Sequence, residues 1–390
     1  AQQLATYIGW LMHRTWGGVA AGALFVLPSL LLLIGLSWVY VVFGSVPWVA
    51  GLLYGVKPAV AALVVQAVHR IGSKVLKKPA TAPALWAVAA TSFIAIFVFA
   101  VPFPAIVLGA ALVGWLGARY APGQFTGGGG HGAAKATYGP ALIDDDTPTP
   151  AHARFSQARL LQVLAVGALL WLLPFAALVV AYGWHSTLAT MGWFFTKAAL
   201  LTFGGAYAVL PYLYQGGVDQ FGWLSAAQMI DGLALGETTP GPLIMVVAFV
   251  GFVGGWNKEV LGPDALFLGA ALAATVVTWF TFLPSFVFIL AGGPLVESTH
   301  GKLQFTAPLT AITAAVVGVI ANLALFFIAH IAIRTGASGP FLSQIDWAAL
   351  LLALVAGVAL IRFKTGVITV IVLCALAGWG LKTVGWASFS

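Results

Sequence analysis

The chain has 390 residues, of which 61% are hydrophobic and only 7% charged, whereas a soluble domain carries roughly 25% charged residues. No soluble fold could cover itself with so little polar surface, and the net charge of +7 is scattered over loops without a basic, aromatic-interleaved stripe, so nucleic acid is excluded as a partner. A single cysteine, Cys374 in an apolar run, excludes a disulfide framework and a Cys-rich metal site.

Apolar runs of bilayer-crossing length recur from end to end. Hydropathy predicts helices near 17–43, 50–69, 83–101, 103–119, 158–183, 264–292, 306–333, 346–361 and 365–386, with residues 1–12 as the tail of a further segment. The fold class is therefore all-α, a polytopic helical membrane protein in contact with the lipid bilayer. Trp48, Trp115, Trp184, Trp223, Trp256, Trp347 and Trp379 stand near span ends, where interfacial belts are expected. The chain opens at Ala1 without Met and without a visible signal peptide, and is read as a trimmed piece.

The stretch 121–157 departs from this pattern. It holds Gly127 to Gly130, Asp144-Asp145-Asp146 and Thr147-Pro148-Thr149-Pro150, and reads as a disordered aqueous linker with no metal site and no cofactor. Following the spans places twelve Lys and Arg on the side of this linker and two, Lys258 and Arg334, on the other, which makes the linker side cytoplasmic.

Two further segments, 194–214 and 224–253, are apolar but interrupted by Phe203-Gly204-Gly205 and by Thr238-Thr239-Pro240-Gly241-Pro242. Two prolines in three residues remove helical hydrogen bonds and clash with the preceding turn. Broken backbone is tolerated in hydrocarbon only where it lines a protein cavity, and discontinuous helices are how secondary transporters build ion sites. The half-helix that follows the break would turn its positive end to an anion, with Thr238 and Thr239 as hydroxyl donors. Lys197 stands six residues before Phe203; it either snorkels to the interface or attracts an anionic substrate. Lys57, beside Pro58, is a second intramembrane cation. Glu237 lies beside the break, where it carries a coupled proton or balances a cation, and Asp231 lies nearer the segment start, as a second proton-coupling candidate or an interfacial residue. Asn322 and His330 read as helix–helix hydrogen-bond partners. No nucleophile–base pair or nucleotide-binding spacing is present, so an enzyme or a self-contained ATPase is not expected.

The halves echo each other. Phe25-Val26-Leu27-Pro28-Ser29 recurs as Thr281-Phe282-Leu283-Pro284-Ser285, Ala111 to Trp115 as Ala375 to Trp379, and Tyr7 to Trp10 as Phe249 to Phe252, in the same order. The loops after the equivalent spans 17–43 and 264–292 fall on opposite sides, so two inverted repeats are expected, at 1–120 and 184–390, with 158–183 as an unmatched connecting helix.

These motifs carry a resemblance. Phe195-Thr196-Lys197, Thr202-Phe203-Gly204-Gly205, the run Val218 to Ser225 and Pro240-Gly241-Pro242, with the two Leu-Pro-Ser motifs, resemble the two-domain type of the chromate ion transporter (CHR) family over essentially the whole chain. The resemblance implies two homologous membrane domains of antiparallel topology that export chromate from the bacterial cytoplasm, conferring resistance, driven by membrane potential or a proton gradient. It differs from the family pattern in lacking a first-half Phe-Gly-Gly and Pro-Gly-Pro region. The residues themselves suit any small oxyanion, so a carrier for sulfate or another anion, or an anion channel, stays open; a homodimer is compatible with this plan.

Overall fold

The computed structural model of the chain describes residues 2–76, 79, 81–121, 123–125, 150–202, 206–298, 306–333 and 344–384. Among these, thirteen α-helices form and no strand does: α1 Gln2–Phe43, α2 Pro47–Val75, α3 Pro83–Phe99, α4 Phe103–Tyr120, α5 Gln157–Tyr182, α6 Thr187–Leu201, α7 Ala206–Tyr214, α8 Ala226–Thr238, α9 Val246–Asn257, α10 Leu266–Ser298, α11 Thr306–Ala332, α12 Trp347–Ile361 and α13 Val367–Thr383. By length and composition, α1, α2, α4, α5, α10 and α11 can each cross a membrane. The predicted spans reappear with ends shifted by a few residues.

α1 is two helices. His13 (φ −131°) and Arg14 (φ 59°) break it, and a Cβ on Gly9 would stand 2.8 Å from Ala21 Cβ. In a continuous helix those residues lie about 18 Å apart, so the arm 2–12 folds back on the arm 15–43. This arm is the segment tail expected before the first span. α9 packs on α10 in the same way, with a Cβ on Gly251 meeting Ala273 O at 2.9 Å and Val277 Cγ2 at 3.0 Å.

α2 and α11 form the centre. Val56, Pro58 to Val64 and Ala67 of α2 are buried on every side. α11 passes α2 in the opposite direction: Gly72 faces Val317, while at the other end Lys57 acts electrostatically on His330. α13 lies against α2, where a Cβ on Gly378 would sit 2.7 Å from Gly51 O. α4 lies against α11, where a Cβ on Gly114 would sit 2.7 Å from Ala307 O. Only a missing side chain admits either approach. α12 runs parallel to α2, with Tyr54 Oη donating to Asp346 at 2.8 Å and Gln66 Nε2 to Leu360 O at 3.2 Å. α5 is peripheral, burying only Gly167, Phe175 and Leu178.

Two sequence expectations shift. The end of the expected linker is ordered: His152 bonds Trp10 O at 3.0 Å and meets the Trp10 ring edge-on, and Phe125 is buried at the other end; residues 126–149 lie outside the described residues. Trp48, Trp115, Trp184, Trp347 and Trp379 are exposed, as a lipid-interface belt requires, but Trp223 is only 2% exposed. It stacks on Phe195 and Phe221 and takes Phe194 edge-on, so aromatic packing, not the interface, holds it.

Candidate site at two converging helical hairpins

The broken segments do not continue through the bilayer. α8 opens on a reciprocal cap, in which Gln228 N donates to Ser225 Oγ and Ser225 N to Gln228 Oε1, and ends at Thr238. Thr239 is extended (φ −86°, ψ 132°), as a residue before proline must be, and Gly241 adopts φ 141°. A short 3₁₀ turn, Leu243–Met245, then leads into α9. α9 returns along α8: a Cβ on Gly236 would meet Val246 Cβ at 3.3 Å, and Asn257 at its far end reaches back to Gln228 at 3.5 Å. The segment is a hairpin whose tip is Pro240-Gly241-Pro242.

α6 and α7 make a second hairpin. Phe194 of α6 stacks on Tyr212 of α7 at 4.6 Å. α6 ends at Leu201 with Thr202 Oγ1 donating to Ala198 O at 2.6 Å, and the helix resumes at Ala206. Phe203, Gly204 and Gly205, between these ends, lie outside the described residues. The expectation of broken helices is met at residues 239–242, with the added finding that the chain reverses there. Helical hairpins that turn back inside the membrane are tolerated where protein surrounds the tip.

The tips meet. Tyr207 Oη, at the start of α7, donates to Glu237 Oε1 at 2.5 Å, at the end of α8. Arg70 of α2 lies over the Tyr207 ring, 6.0 Å from its centroid, and its charge acts on Glu237. Thr239 Oγ1 donates to Leu235 O at 2.5 Å, occupied within its own helix. Pro240 O, freed from the helix, accepts from Ser29 Oγ of the first Leu-Pro-Ser motif, and a Cβ on Gly241 would overlap that hydroxyl. Pro240 and Gly241 are exposed, Thr239 is half-buried and Pro242 is buried. Ser285, in the second Leu-Pro-Ser motif, accepts from Gln3 Nε2 of the arm 2–12 at 3.3 Å.

A second charged cluster lies farther along the same seam. Asp231 of α8 is buried and faces Lys57 of α2, with Nζ 3.7 Å from Oδ2. Tyr40 Oη of α1 donates to the same Oδ2 at 2.9 Å. Asp231 is thus not interfacial in the sense of being exposed. A cavity of about 510 Å3 adjoins the pair, lined by Tyr40, Tyr54, Lys57, Gln228, Asp231 and Asn257 among others. Lys197 joins neither cluster: it is exposed on α6 and lies 5.9 Å from the centroid of the Trp193 ring, one turn earlier. Of the candidates, the structure brings Glu237, Thr239 and Pro240 to Pro242 together, pairs Lys57 with Asp231, and leaves Lys197 apart. Thr238 ends α8. Arg70, Tyr207, Tyr40 and Ser29 join the site only through the fold; of these, Ser29 carries a sequence signal, its repeated motif. Among the described residues no group of three or more His, Cys, Asp or Glu could hold a metal ion.

Six helices long and apolar enough to cross a membrane, packed in one bundle around two hairpins, define a polytopic membrane protein. The profile of the family described as Chromate transporter matches residues 1–115 and 189–379, and the chain belongs to that family. It is 28% identical to the "Chromate transport protein" of Cupriavidus metallidurans over 385 residues, covering 93% of this chain and 75% of that protein. It is 27% identical to the "Probable chromate transport protein" of Synechococcus elongatus over 324 residues, 83% of this chain and 69% of that one. It is 32% identical to the "Chromate transport protein" of Pseudomonas aeruginosa over 326 residues, 82% and 66% respectively. No solved structure matches the chain significantly. Membership and the apolar helices make it a multi-pass bacterial membrane protein.

Proposed function

We propose that this protein is a secondary transporter that exports chromate, or a similar tetrahedral oxyanion, across the bacterial inner membrane and so confers chromate resistance. The observation that carries the reading is the α2–α8 seam, where α2 places two cations near the reversed tip of Pro240-Gly241-Pro242: Lys57, half-buried against Asp231, and Arg70, exposed near the other end of the helix and lying over Tyr207. Along one helix they stand about 20 Å apart, the scale of a path through a bilayer rather than of one contact. Charges there are costly and mark ion pathways. The names of the three relatives supply the anion.

On this reading the protein works as two inverted repeats, near 1–120 and 184–390, joined by a cytoplasmic linker and the connecting helix α5. The support is reciprocal contact: α13 on α2 through Gly378 and Gly51, and α4 on α11 through the equivalent Gly114 and Ala307. Such exchange is what a two-fold axis generates. Because α2 and α11 are the equivalent helices and run antiparallel, that axis lies in the membrane plane. The reversal of both hairpins leaves the sidedness of every later loop unchanged, since two interrupted crossings and two turned-back hairpins have the same parity. Transport, not turnover of a bond, is the activity.

Proteoliposomes test this. The purified protein should give saturable chromate counterflow, accelerated by a membrane potential that draws anions in the export direction. Sulfate counterflow without chromate movement would replace the substrate, and unitary conductance without counterflow would replace the carrier by a channel.

A further inference from the structure

We propose that Lys57 and Asp231 form a proton-operated oxyanion site, in which Lys57 takes the anion only once Asp231 has taken up a proton, so that one proton and one oxyanion enter together. This rests on the transport reading above and adds its coupling step.

The pair is poorly made for a structural ion pair. Nζ and Oδ2 are 3.7 Å apart, beyond a hydrogen bond. Asp231 is 3% exposed, yet its Oδ1 has no hydrogen-bond partner, while Oδ2 holds both Tyr40 and the approach of Lys57. A buried ion pair is stable only when its remaining lone pairs are satisfied. A buried carboxylate oxygen without a partner is where a proton fits, and the polar cavity of about 510 Å3 lined by Lys57 and Asp231 leaves room for the anion beside the pair. That volume far exceeds the roughly 30 Å3 share of one water, so a tetrahedral dianion fits with part of its hydration.

The step balances. A proton from solvent adds to Asp231 Oδ1, making it a neutral acid; Lys57 remains an ammonium and loses its counter-ion. The dianion then accepts from Lys57 Nζ, and the neutral acid beside it no longer repels the anion. Lysine and carboxylate together are neutral before binding. With the dianion the site carries one net negative charge if the proton is present and two if it is absent, and the second is far costlier in a low dielectric.

The other groups facing the pair leave this logic intact. Tyr40 on α1 donates to Asp231, Tyr54 on α2 donates to Asp346 at the start of α12, and His330 on α11 is within electrostatic reach of Lys57. Gln228 on α8 and Asn257 at the end of α9 are uncharged. Glu237 lies six residues on along α8 and is held by Tyr207, and Lys382 of α13 lies beside Gly51, almost two turns before Lys57.

The test is equilibrium binding of radiolabelled chromate, and of sulfate as a second tetrahedral dianion, to the purified protein from mildly acid to mildly alkaline pH. Proton uptake is followed in weakly buffered solution. Because binding takes up a proton, affinity should fall by about tenfold per pH unit wherever free Asp231 is ionised, with one proton taken up per anion. Asp231→Asn should bind with the acid-side affinity at every pH and take up no proton; Lys57→Met should lose at least about tenfold in affinity throughout. A wild-type pH slope in Asp231→Asn, or a Lys57→Met/Asp231→Asn double variant that binds like wild type, overturns the proposal in favour of a structural pair. If Asp231→Asn does not fold, wild-type proton uptake decides: anion binding without it overturns this inference and leaves the transporter reading standing. A wild type that binds no oxyanion at any pH overturns both.

Discussion

Between Phe194 and Trp223 the aromatic residues Phe194, Phe195, Tyr212, Phe221 and Trp223 pack on one another, whereas the facing sides of α2 and α8 carry charges. In the first region Phe194, Phe195 and Trp223 are buried and Trp223 N is tied to Gly217 O at 2.7 Å, while Tyr207 of the same stretch belongs to the charged seam instead. In the second, Lys57, Asp231, Arg70 and Glu237 recur along one seam with two tyrosines between them. The first region holds much of the most recognisable sequence of the chain and shapes the hairpin mouth. The second is sparse in sequence and holds the chemistry. Recognisability and chemistry are thus separated, and each can be perturbed without the other.

The largest effect should come from the aromatic region. Trp223→Ala removes a fully buried indole and should cost about 3–5 kcal/mol, read as a lowered thermal midpoint, while oxyanion affinity of the folded fraction stays at the wild-type value. If affinity falls with stability in the milder Trp223→Phe, the two regions are not separable. Gly241→Ala sharpens the boundary between them. Its methyl would overlap the Ser29 hydroxyl at a backbone angle that L residues avoid, a penalty of about 1–3 kcal/mol, and transport should fall with it because the tip must shift. Tyr207→Phe removes the hydroxyl that donates to Glu237; a loss of about 1–3 kcal/mol is expected, visible in thermal unfolding and in transport rate together. The smallest effect belongs to Lys197→Ala. An exposed cation–π contact is worth about 0.5–1 kcal/mol, and oxyanion affinity should not change. A large loss of affinity there would move the anion path to α6.

Hydropathy located the spans because crossing helices must be long and apolar, and the break at residues 239–242 was legible because two prolines cannot continue a helix. The reversal at that break was not legible. It depends on what α9 packs against, through Gly232 on Phe249 and Gly236 on Val246, and small residues suit a return as well as a crossing. Lys197 and Lys57 look alike as lysines in apolar runs. What separates them is Trp193, one turn before Lys197 and thus on its own helix face, against an Asp231 that only the fold brings to Lys57. Trp223 read as a belt residue because interfaces and cores use the same residue, and only its neighbours distinguish the two.

Whether the α2–α8 seam carries the anion is measured most directly by chromate counterflow in proteoliposomes reconstituted side by side with wild type, Lys57→Met and Trp223→Phe, each normalised to folded protein. Wild type and Trp223→Phe should give saturable counterflow, with Lys57→Met slower by at least about tenfold at low chromate. Wild-type counterflow by Lys57→Met would show that the α2–α8 seam does not carry the anion.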